Sequence, residues 1–599
     1  MKKTILTGAI ACAIAPAFAE NTPAIFDLGT IVVTATRTPT PVRELLNDIS
    51  VITQEEIQRA GQTTLPELLR TLPGIEFSAN GGAGTTSSVF IRGANDKHTL
   101  VLVDGMRINS ATSGTTALEK IPLGQIERIE VLRGPGSALY GSEAIGGVIQ
   151  IFTKSGNATP SFHLGGGAGS RGLYQANAGG NGKLGEVSFN LEVAHEGTDS
   201  FSAIGDPASS SYNPDSDPYR NTSANAKLSY RLNDRHEFGA TGFYSNGKGH
   251  FDGSRTYDSR NNQTLAAYGF YSQDRFLPDW KSQIRIGRSF DDLRSLSTTT
   301  WTKFRTDQDQ VSWQNDLETG AGRFTLGTEH NWQHVTSTTS YTVNKRAVHS
   351  YFAGYQGRFG AHSVQLNARN DDNSQFGSHA TGSAAYGYQL TNAWRASASI
   401  GTAFRAPTFN ELYYPNYGIS TLRPERALNK EVGIHYDHAA QHVSLVYFDN
   451  QISDLINSGS VVSQTQRANI TGATLSYNGR LEEFNVRAST TWQNPIDKSN
   501  NTILQRRAQQ TATAGIDRSF GAWSAGMGVI ASGYRYDKAN NVNRLGGYTV
   551  FNLYSGYTYS KELSFVARLN NVFDKQYELA QTYNTPDRNV FIGFDYHPQ

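Results

Sequence analysis

Two hydrophobic patterns divide the chain. Residues 89–156 hold three short apolar runs, at Val89-Phe90-Ile91, Leu100-Val101-Leu102-Val103 and Ile126 to Thr153, punctuated by Gly and Pro. From about residue 159 onward the period becomes two. Trp394, Ala396, Ala398 and Ile400 alternate with Arg395, Ser397 and Ser399. Leu563, Phe565 and Ala567 alternate with Ser564, Val566 and Arg568, and Val590, Ile592, Phe594 and Tyr596 with Phe591, Gly593 and Asp595. A strand with two dissimilar faces separates two environments. About 440 residues at roughly 20 per strand and connection predict 22 antiparallel strands closed into a transmembrane barrel. A lumen of that size needs a filling, and the N-terminal segment is the one available. The expected fold is therefore mainly β: a 22-stranded antiparallel barrel with an N-terminal α/β plug domain in its lumen.

Composition agrees with that reading. Only 38% of the 599 residues are hydrophobic, yet there are 59 Gly, 29 Tyr, 29 Phe and 7 Trp. A barrel needs one apolar face per strand, so a mean hydropathy of -0.46 is compatible with spanning a bilayer. No run of 18 apolar residues follows Ala19, which excludes a helical span. A net charge of +1 gives nucleic-acid binding no electrostatic support.

Lys2-Lys3, the apolar stretch 4–16 and Ala17-Phe18-Ala19 read as a signal peptide over residues 1–19. Ala9-Ile10-Ala11-Cys12 as a lipobox is the competing interpretation; it leaves the Ala-Phe-Ala site unused. Cys12 is the single cysteine, so cleavage after Ala19 leaves no thiol. Residues 20–41, Pro- and Thr-rich, are expected to be mobile, the plug to run over 42–157 and the barrel over 158–599. Thr53-Gln54-Glu55-Glu56 and Thr64-Leu65-Pro66-Glu67 are capping-box patterns that open two short plug helices. Arg92, Glu127, Arg128, Glu130 and Arg133 predict ion pairs within the plug or to the wall. The Gly-rich run 134–147 lacks a Gly-Lys-Ser/Thr ending and reads as turns, as does Gly165-Gly166-Gly167-Ala168-Gly169 at the first barrel hairpin.

Phe90-Ile91-Arg92-Gly93, Val103-Asp104-Gly105-Met106-Arg107, Arg133-Gly134-Pro135 and Tyr140-Gly141-Ser142-Glu143-Ala144-Ile145-Gly146-Gly147-Val148 resemble the plug signature of TonB-dependent outer-membrane receptors. Within that family, Asn80-Gly81-Gly82, Ser87-Ser88, residues 371–377 and residues 570–577 are most similar to the vitamin B12 (cobalamin) branch. The resemblance implies an outer-membrane monomer that binds its ligand from outside and imports it, energised through TonB by the inner-membrane proton gradient. Phages or bacteriocins are candidate users of its loops. Thr30-Ile31-Val32-Val33-Thr34-Ala35, a β-prone run able to add to a partner's sheet edge, stands where the family keeps its TonB box.

The acidic loops carry the strongest local chemistry. Asp199, Asn213, Asp215 and Asp217, then Phe251, Asp252 and Asp258, lie in Gly/Pro/Ser-rich segments. Clustered hard oxygens suit calcium, and the same residue types also suit plain turns. The resemblance places a loop-ordering calcium site there, with Asn213 and Phe251 departing from its usual Gln and Tyr. It also implies cobalamin contacts at Thr86, Ser88, Asn95, Thr112 and Ser113 on the plug and at Thr302 and Arg506 on the barrel. The alternative cargoes are another corrinoid, haem or an iron-siderophore chelate. Phe404-Arg405-Ala406-Pro407 looks like a haem-receptor motif, but no His falls between Thr408 and Leu422. Neither HExxH nor GxSxG is present, so enzymatic activity is not expected.

Overall fold

The computed structural model describes residues 32–33, 37–60, 62–156, 159–297, 299–459 and 461–598. The expected leader 1–19 and, within the box, Thr30, Ile31, Thr34 and Ala35 lie outside them.

Twenty-two antiparallel strands form a closed barrel. Closure occurs where Ser161–Gly169 pairs with the last strand, Asn589–Tyr596. The glycines there are strand, not the hairpin turn expected. A Cβ on Gly167 would lie 2.2 Å from the Phe591 ring, so that position excludes a side chain. Connections are tight at one end, as between Leu184 and Val187 or Thr319 and Gly322, and long at the other, as at residues 199–218 and 406–424. The two-residue periodicity is realised in the wall: Leu191, Leu228, Phe270, Ile286 and Ile400 face outward, while Asn190, Asn221, Asn225 and Ser245 are buried inside.

The lumen holds a five-stranded mixed sheet, in spatial order Ile49–Thr53, Ile126–Arg133, Gly147–Thr153, Thr99–Val103 and Met106–Arg107. Only the pairing of Thr99–Val103 with Gly147–Thr153 is parallel. A separate hairpin pairs Ile75–Ala79 with Ser87–Ile91. The helix Gln54–Arg59 has the full capping box, Thr53 with Glu56. The helix Leu65–Leu69 has half of one: Thr64 Oγ1 accepts from Glu67 N–H, but the Glu67 carboxylate turns to Thr63 Oγ1 at 2.9 Å. The run 134–147 contains one helical turn, Ser137–Tyr140, where turns alone were expected; its apolar side chains are buried, Leu139 and Tyr140 among Leu100, Leu102, Leu132 and Val148 of the plug.

Plug and wall are joined by dry patches and by ions. Leu65, Leu68, Ile75, Ile129 and Ile149 pack in one cluster with Phe243, Leu265, Tyr548 and Val550 of the barrel, and Ile145 packs with Ala403, Phe448 and Ile470. Each fully buried Leu or Ile is worth roughly 1.5–3 kcal/mol. Between these patches Asp48 takes Arg133 at 2.6 Å and Arg92 at 2.5 Å, and Arg92 also reaches Glu431 on the wall at 2.6 Å. Arg128 pairs with Glu130 and Glu127 inside the plug. Both kinds of ion pair expected from the sequence are thus present.

Residues 37–41 depart from the expected mobile tail. Val32–Val33 pairs antiparallel with Thr40–Pro41, and Thr38 and Thr40 are buried. Arg37, at φ 70°, sends its guanidinium between the Tyr140 and Phe352 rings, to Glu329 at 2.6 Å and the Leu139 carbonyl at 2.6 Å. Buried ionic and ring contacts outweigh the conformational freedom of so short a segment.

Burial alone would raise the Asp48 carboxyl, but Arg133 and Arg92 hold it well below the usual range. Its stabilisation is therefore complete above the unfolded value of about 3.9 and is lost as pH falls toward the folded one. Asp48→Asn leaves two buried guanidinia short of a carboxylate and is expected to destabilise plug docking by about 3–5 kcal/mol. Limited proteolysis of the folded barrel checks this: plug cleavage accelerates in the variant, and in the wild type only in acid.

Candidate functional site at the plug apex and outer loops

The site lies where the plug's turns meet the long loops. Asn80-Gly81-Gly82-Ala83-Gly84 joins the two strands of the plug hairpin and lies directly under the loop 199–218. A Cβ on Gly81 would sit 2.7 Å from that of Ala203, one on Gly82 2.2 Å from Ser200 Oγ, and one on Gly84 2.1 Å from the Tyr219 ring. Gly84 also has φ +75°. Lys120 closes the contact from below: its buried ammonium donates to the Gly84 carbonyl at 2.7 Å and faces the Tyr219 ring at 4.5 Å.

The same loop carries two members of the acidic cluster, and the next loop, after the strand His236–Phe251, carries the third. Carboxylate oxygens of Asp215, Asp217 and Asp252 lie within 4.8 Å of one another. Oxygens on opposite sides of one calcium ion are at most about 5 Å apart, so the spacing fits. Asp217 accepts from Ala203 N–H at 2.7 Å, and Asp252 Oδ2 from Ile204 N–H at 2.6 Å and Ser202 Oγ at 3.1 Å. Among the described residues, Asp252 Oδ1 is buried with no hydrogen-bond partner. Burial, and then Asp252 and Asp215, push the Asp217 carboxyl up to about 7. The residues present fit a hard cation.

Other members of the expected set are not gathered there. Asp199 is exposed and pairs with Arg220 at 2.7 Å; Asp258 pairs with His250 at 2.7 Å. The Asn213 carbonyl accepts from Ser202 Oγ at 2.9 Å, which ties it to the cluster through Asp252. Phe251 ends the strand His236–Phe251, and its side chain has no donor oxygen.

Of the expected ligand positions, Thr86 is exposed, and Ser88 is half-buried and donates to Asp96 at 2.8 Å. Asn95 accepts from Arg507, whose guanidinium also donates to the Gly93 carbonyl at 3.1 Å. Arg506 holds Asp537 at 2.8 Å and reaches Asn80 at 3.4 Å. Thr112 is buried: Ser110 Oγ lies 2.7 Å from its hydroxyl, and its carbonyl accepts from Asn410 N–H at 3.1 Å. Ser113 pairs with Thr115 at 3.1 Å. Thr302 donates to the Ser295 carbonyl at the barrel rim; the wall residue at the apex is Thr306, which accepts from Ala111 N–H at 3.1 Å.

Sequence reasoning missed a buried charge network that fixes the loop 406–424 onto the plug. Glu411, in the helix Phe409–Tyr413, takes both Arg405 Nη atoms, at 2.9 and 3.2 Å, and Lys97 of the plug at 2.9 Å. Arg405 Nε reaches Glu425, which lies 2.9 Å from the fully buried His98. Asn95 N–H donates to His98 Nδ1, which assigns the imidazole proton to Nε2 and to Glu425. Burial would raise Glu411, yet Arg405 and Lys97 hold it well below the carboxylate range. Thr408-Phe409-Asn410-Glu411 is a readable capping box that signals this helix.

A polar apex held by long loops over a plug inside a 22-stranded barrel is the architecture of a plugged outer-membrane barrel. Residues 41–148 match the family model described as TonB-dependent Receptor Plug Domain, and residues 156–572 the one described as TonB dependent receptor-like, beta-barrel. The chain belongs to the TonB-dependent receptors of the outer membrane, a family of transporters and receptors that work with TonB. It is 30% identical, over 100% of both chains, to "Vitamin B12 transporter BtuB" of Photobacterium profundum, and 29% identical over the same share to that of Vibrio vulnificus. Among solved structures, a ferric enterobactin receptor (PfeA) mutant from Pseudomonas aeruginosa matches with a TM-score of 0.82 at 19% identity, over 95% of this chain and 100% of that one. The siderophore receptor PirA from Acinetobacter baumannii gives 0.79 at 19%, over 92% and 98%. At that identity the likeness describes the fold.

Gly84→Val is expected to lift the loop 199–218 from the apex. Protease sensitivity of that loop should rise and ligand affinity fall while barrel melting stays unchanged, and Tyr219→Ala in the same chain should partly restore the contact.

Proposed function

We propose that this receptor binds cobalamin at the plug apex and imports it into the periplasm. The observation that carries the reading is the full-length likeness, at 30% identity, to a protein named as a vitamin B12 transporter. The apex supports it chemically. Thr86, Ser88, Asn95, Ser113 and Arg506 offer short polar groups and a long donor, which suit a large, amide-decorated corrinoid held by many hydrogen bonds. Thr112 shapes the site from behind through its backbone.

Calcium would be held by Asp215, Asp217 and Asp252, with Asp252 Oδ1 supplying the oxygen that has no hydrogen-bond partner among the described residues. Its chemistry is electrostatic: it neutralises the clustered carboxylates. The loop is then rigid before the ligand arrives, which lowers the ordering cost of binding. Because this loop rests on Gly81, Gly82 and Gly84, the cation also steadies the plug apex.

Residues 30–35 serve as the TonB box. Val32–Val33 is paired with Thr40–Pro41, so a partner strand must replace that pairing through its own main-chain hydrogen bonds. The segment 1–19 is removed on export.

Two measurements check these assignments. Purified receptor should bind cyanocobalamin, and either chelation of calcium or Asp217→Asn with Asp252→Asn should weaken binding by about tenfold or more, ~1.4 kcal/mol. Binding indifferent to calcium returns the cluster to turn chemistry, and absent binding overturns the substrate. Val33→Pro should keep binding and abolish uptake, since proline cannot donate to an added strand.

A further inference from the structure

The plug is sealed unevenly. Toward Phe243 and Leu265, toward Ala403 to Ile470, and toward Tyr548 and Val550, it meets the wall through apolar clusters. Along the arc from the strand Tyr219–Asn233 to the strand His362–Asn373, and on the tight-turn side of Phe243 and Leu265 where it passes them, plug and wall are separated by a cavity of about 880 Å³. This cavity runs the height of the barrel. At the tight-turn end it is lined by the 233–236 turn and Lys281, at mid-height by Gln283, Ser312 and Glu329, and at the loop end by Arg346, Asn373 and Ala406. A recess of about 1090 Å³ at the periplasmic rim and a cavity of about 260 Å³ under the plug helices reach neither Arg346 nor Ala406.

A thin polar seal closes its upper end. Ala406 N–H donates to Ser142 Oγ at 3.1 Å, Glu143 N–H to the Phe404 carbonyl at 3.3 Å, and Arg346 to the Pro407 carbonyl at 2.7 Å. Glu143 has φ 79°, a strained value for a non-glycine residue. Seal and ligand site are neighbours, because Ala406 is three residues before Phe409, whose N–H donates to the Ala111 carbonyl of the apex.

From this geometry we infer that the cargo's route to the periplasm is the cavity along the strands from Tyr219–Asn233 to His362–Asn373, opened by parting the Ser142-Glu143 turn from Phe404 to Ala406. The inference rests on the transport reading above and adds the side of the plug on which transport occurs. Along this arc the apolar wall contacts are confined to Phe243, Leu265, Ala267 and Val335, so parting it exposes less apolar surface than parting the faces held by Tyr548 and Val550 or by Phe448, Ile452 and Ile470. Amides, hydroxyls and charges of both signs line the route, so a polar cargo meets many weak partners and no single deep trap. A cavity of this size lies within the roughly 300–1,000 Å³ of ordinary small-molecule pockets, so a corrinoid requires the plug edge Met106–Arg107 to move away from the wall at Gln310, toward the barrel axis; Gln310 now accepts from Arg107 N–H at 3.0 Å.

The test uses full-length receptor in intact cells, with Cys12 as the sequence's single thiol and one cysteine added at a time. Ser312→Cys lies in the proposed route; Ser444→Cys lines the small cavity on the opposite side. Each is derivatised with a bulky thiol reagent and compared with its own underivatised sample for cyanocobalamin binding and for uptake. The route predicts that the adduct at Ser312→Cys abolishes uptake and leaves binding intact, while the adduct at Ser444→Cys changes neither. Full uptake with the Ser312→Cys adduct, or equal loss from both adducts, overturns it. If underivatised receptor fails to bind cyanocobalamin, the assigned substrate falls, and the route is then read without it. In that arm a membrane-impermeant thiol reagent outside energised cells should reach Ser312→Cys faster than Ser444→Cys, and equal or reversed rates overturn the route.

Discussion

Backbone hydrogen bonding in a bilayer leaves a sheet no free edge, and the rest of this molecule follows from that constraint. Closure at the seam between Ser161–Gly169 and Asn589–Tyr596 satisfies the ladder, and 22 strands enclose a lumen too wide for side chains to fill. A folded plug must therefore sit inside, against a wall whose inner face is polar. The attachment reflects this: apolar patches where the wall offers Phe243, Phe448 or Tyr548, ion pairs where it offers Glu431 and Glu329, and a polar gap between.

The plug is attached by separate patches rather than by one continuous interface. The Asp48 cluster and the Arg405, Glu411, Glu425 and Lys97 network are buried, so each charge is held by its partners and would be left costly by their departure. The two act at opposite ends. Asp48 lies beside the first plug strand on the periplasmic side, and Glu411 lies in an outer loop against the apex. Arg37, four residues beyond Val33, lies between them, so the segment that would be pulled is itself part of the filling.

Much of this was legible in the sequence. Two-residue alternation at Trp394 to Ile400 and Val590 to Tyr596 identified the lipid face, and Thr53 with Glu56 marked a helix start, because both depend on local spacing. The ion pairs of Arg92 and Arg133 were expected, but their partners, Asp48 and Glu431, are 44 and 339 residues from Arg92, beyond what any local pattern reports. The acidic loops were visible as composition. Their sorting into Asp215, Asp217 and Asp252 on one side and the paired Asp199 and Asp258 on the other depends on where Arg220 and His250 point. Gly81 entered the sequence reading only through the family likeness; its role, with Gly84, as a seat for Ala203 and Tyr219 emerges once the loop is folded onto them. Arg37 was read as part of a mobile tail because its partners, Tyr140, Phe352 and Glu329, all lie more than a hundred residues away.

The central claim is that a ligand bound outside is carried inward by work done on the N-terminal segment. It is tested most directly by following labelled cyanocobalamin in cells that have this receptor as their one route for it, with the inner-membrane proton gradient intact and then collapsed. The account predicts saturable uptake that stops on collapse while surface binding persists. Uptake that continues without the gradient would contradict it.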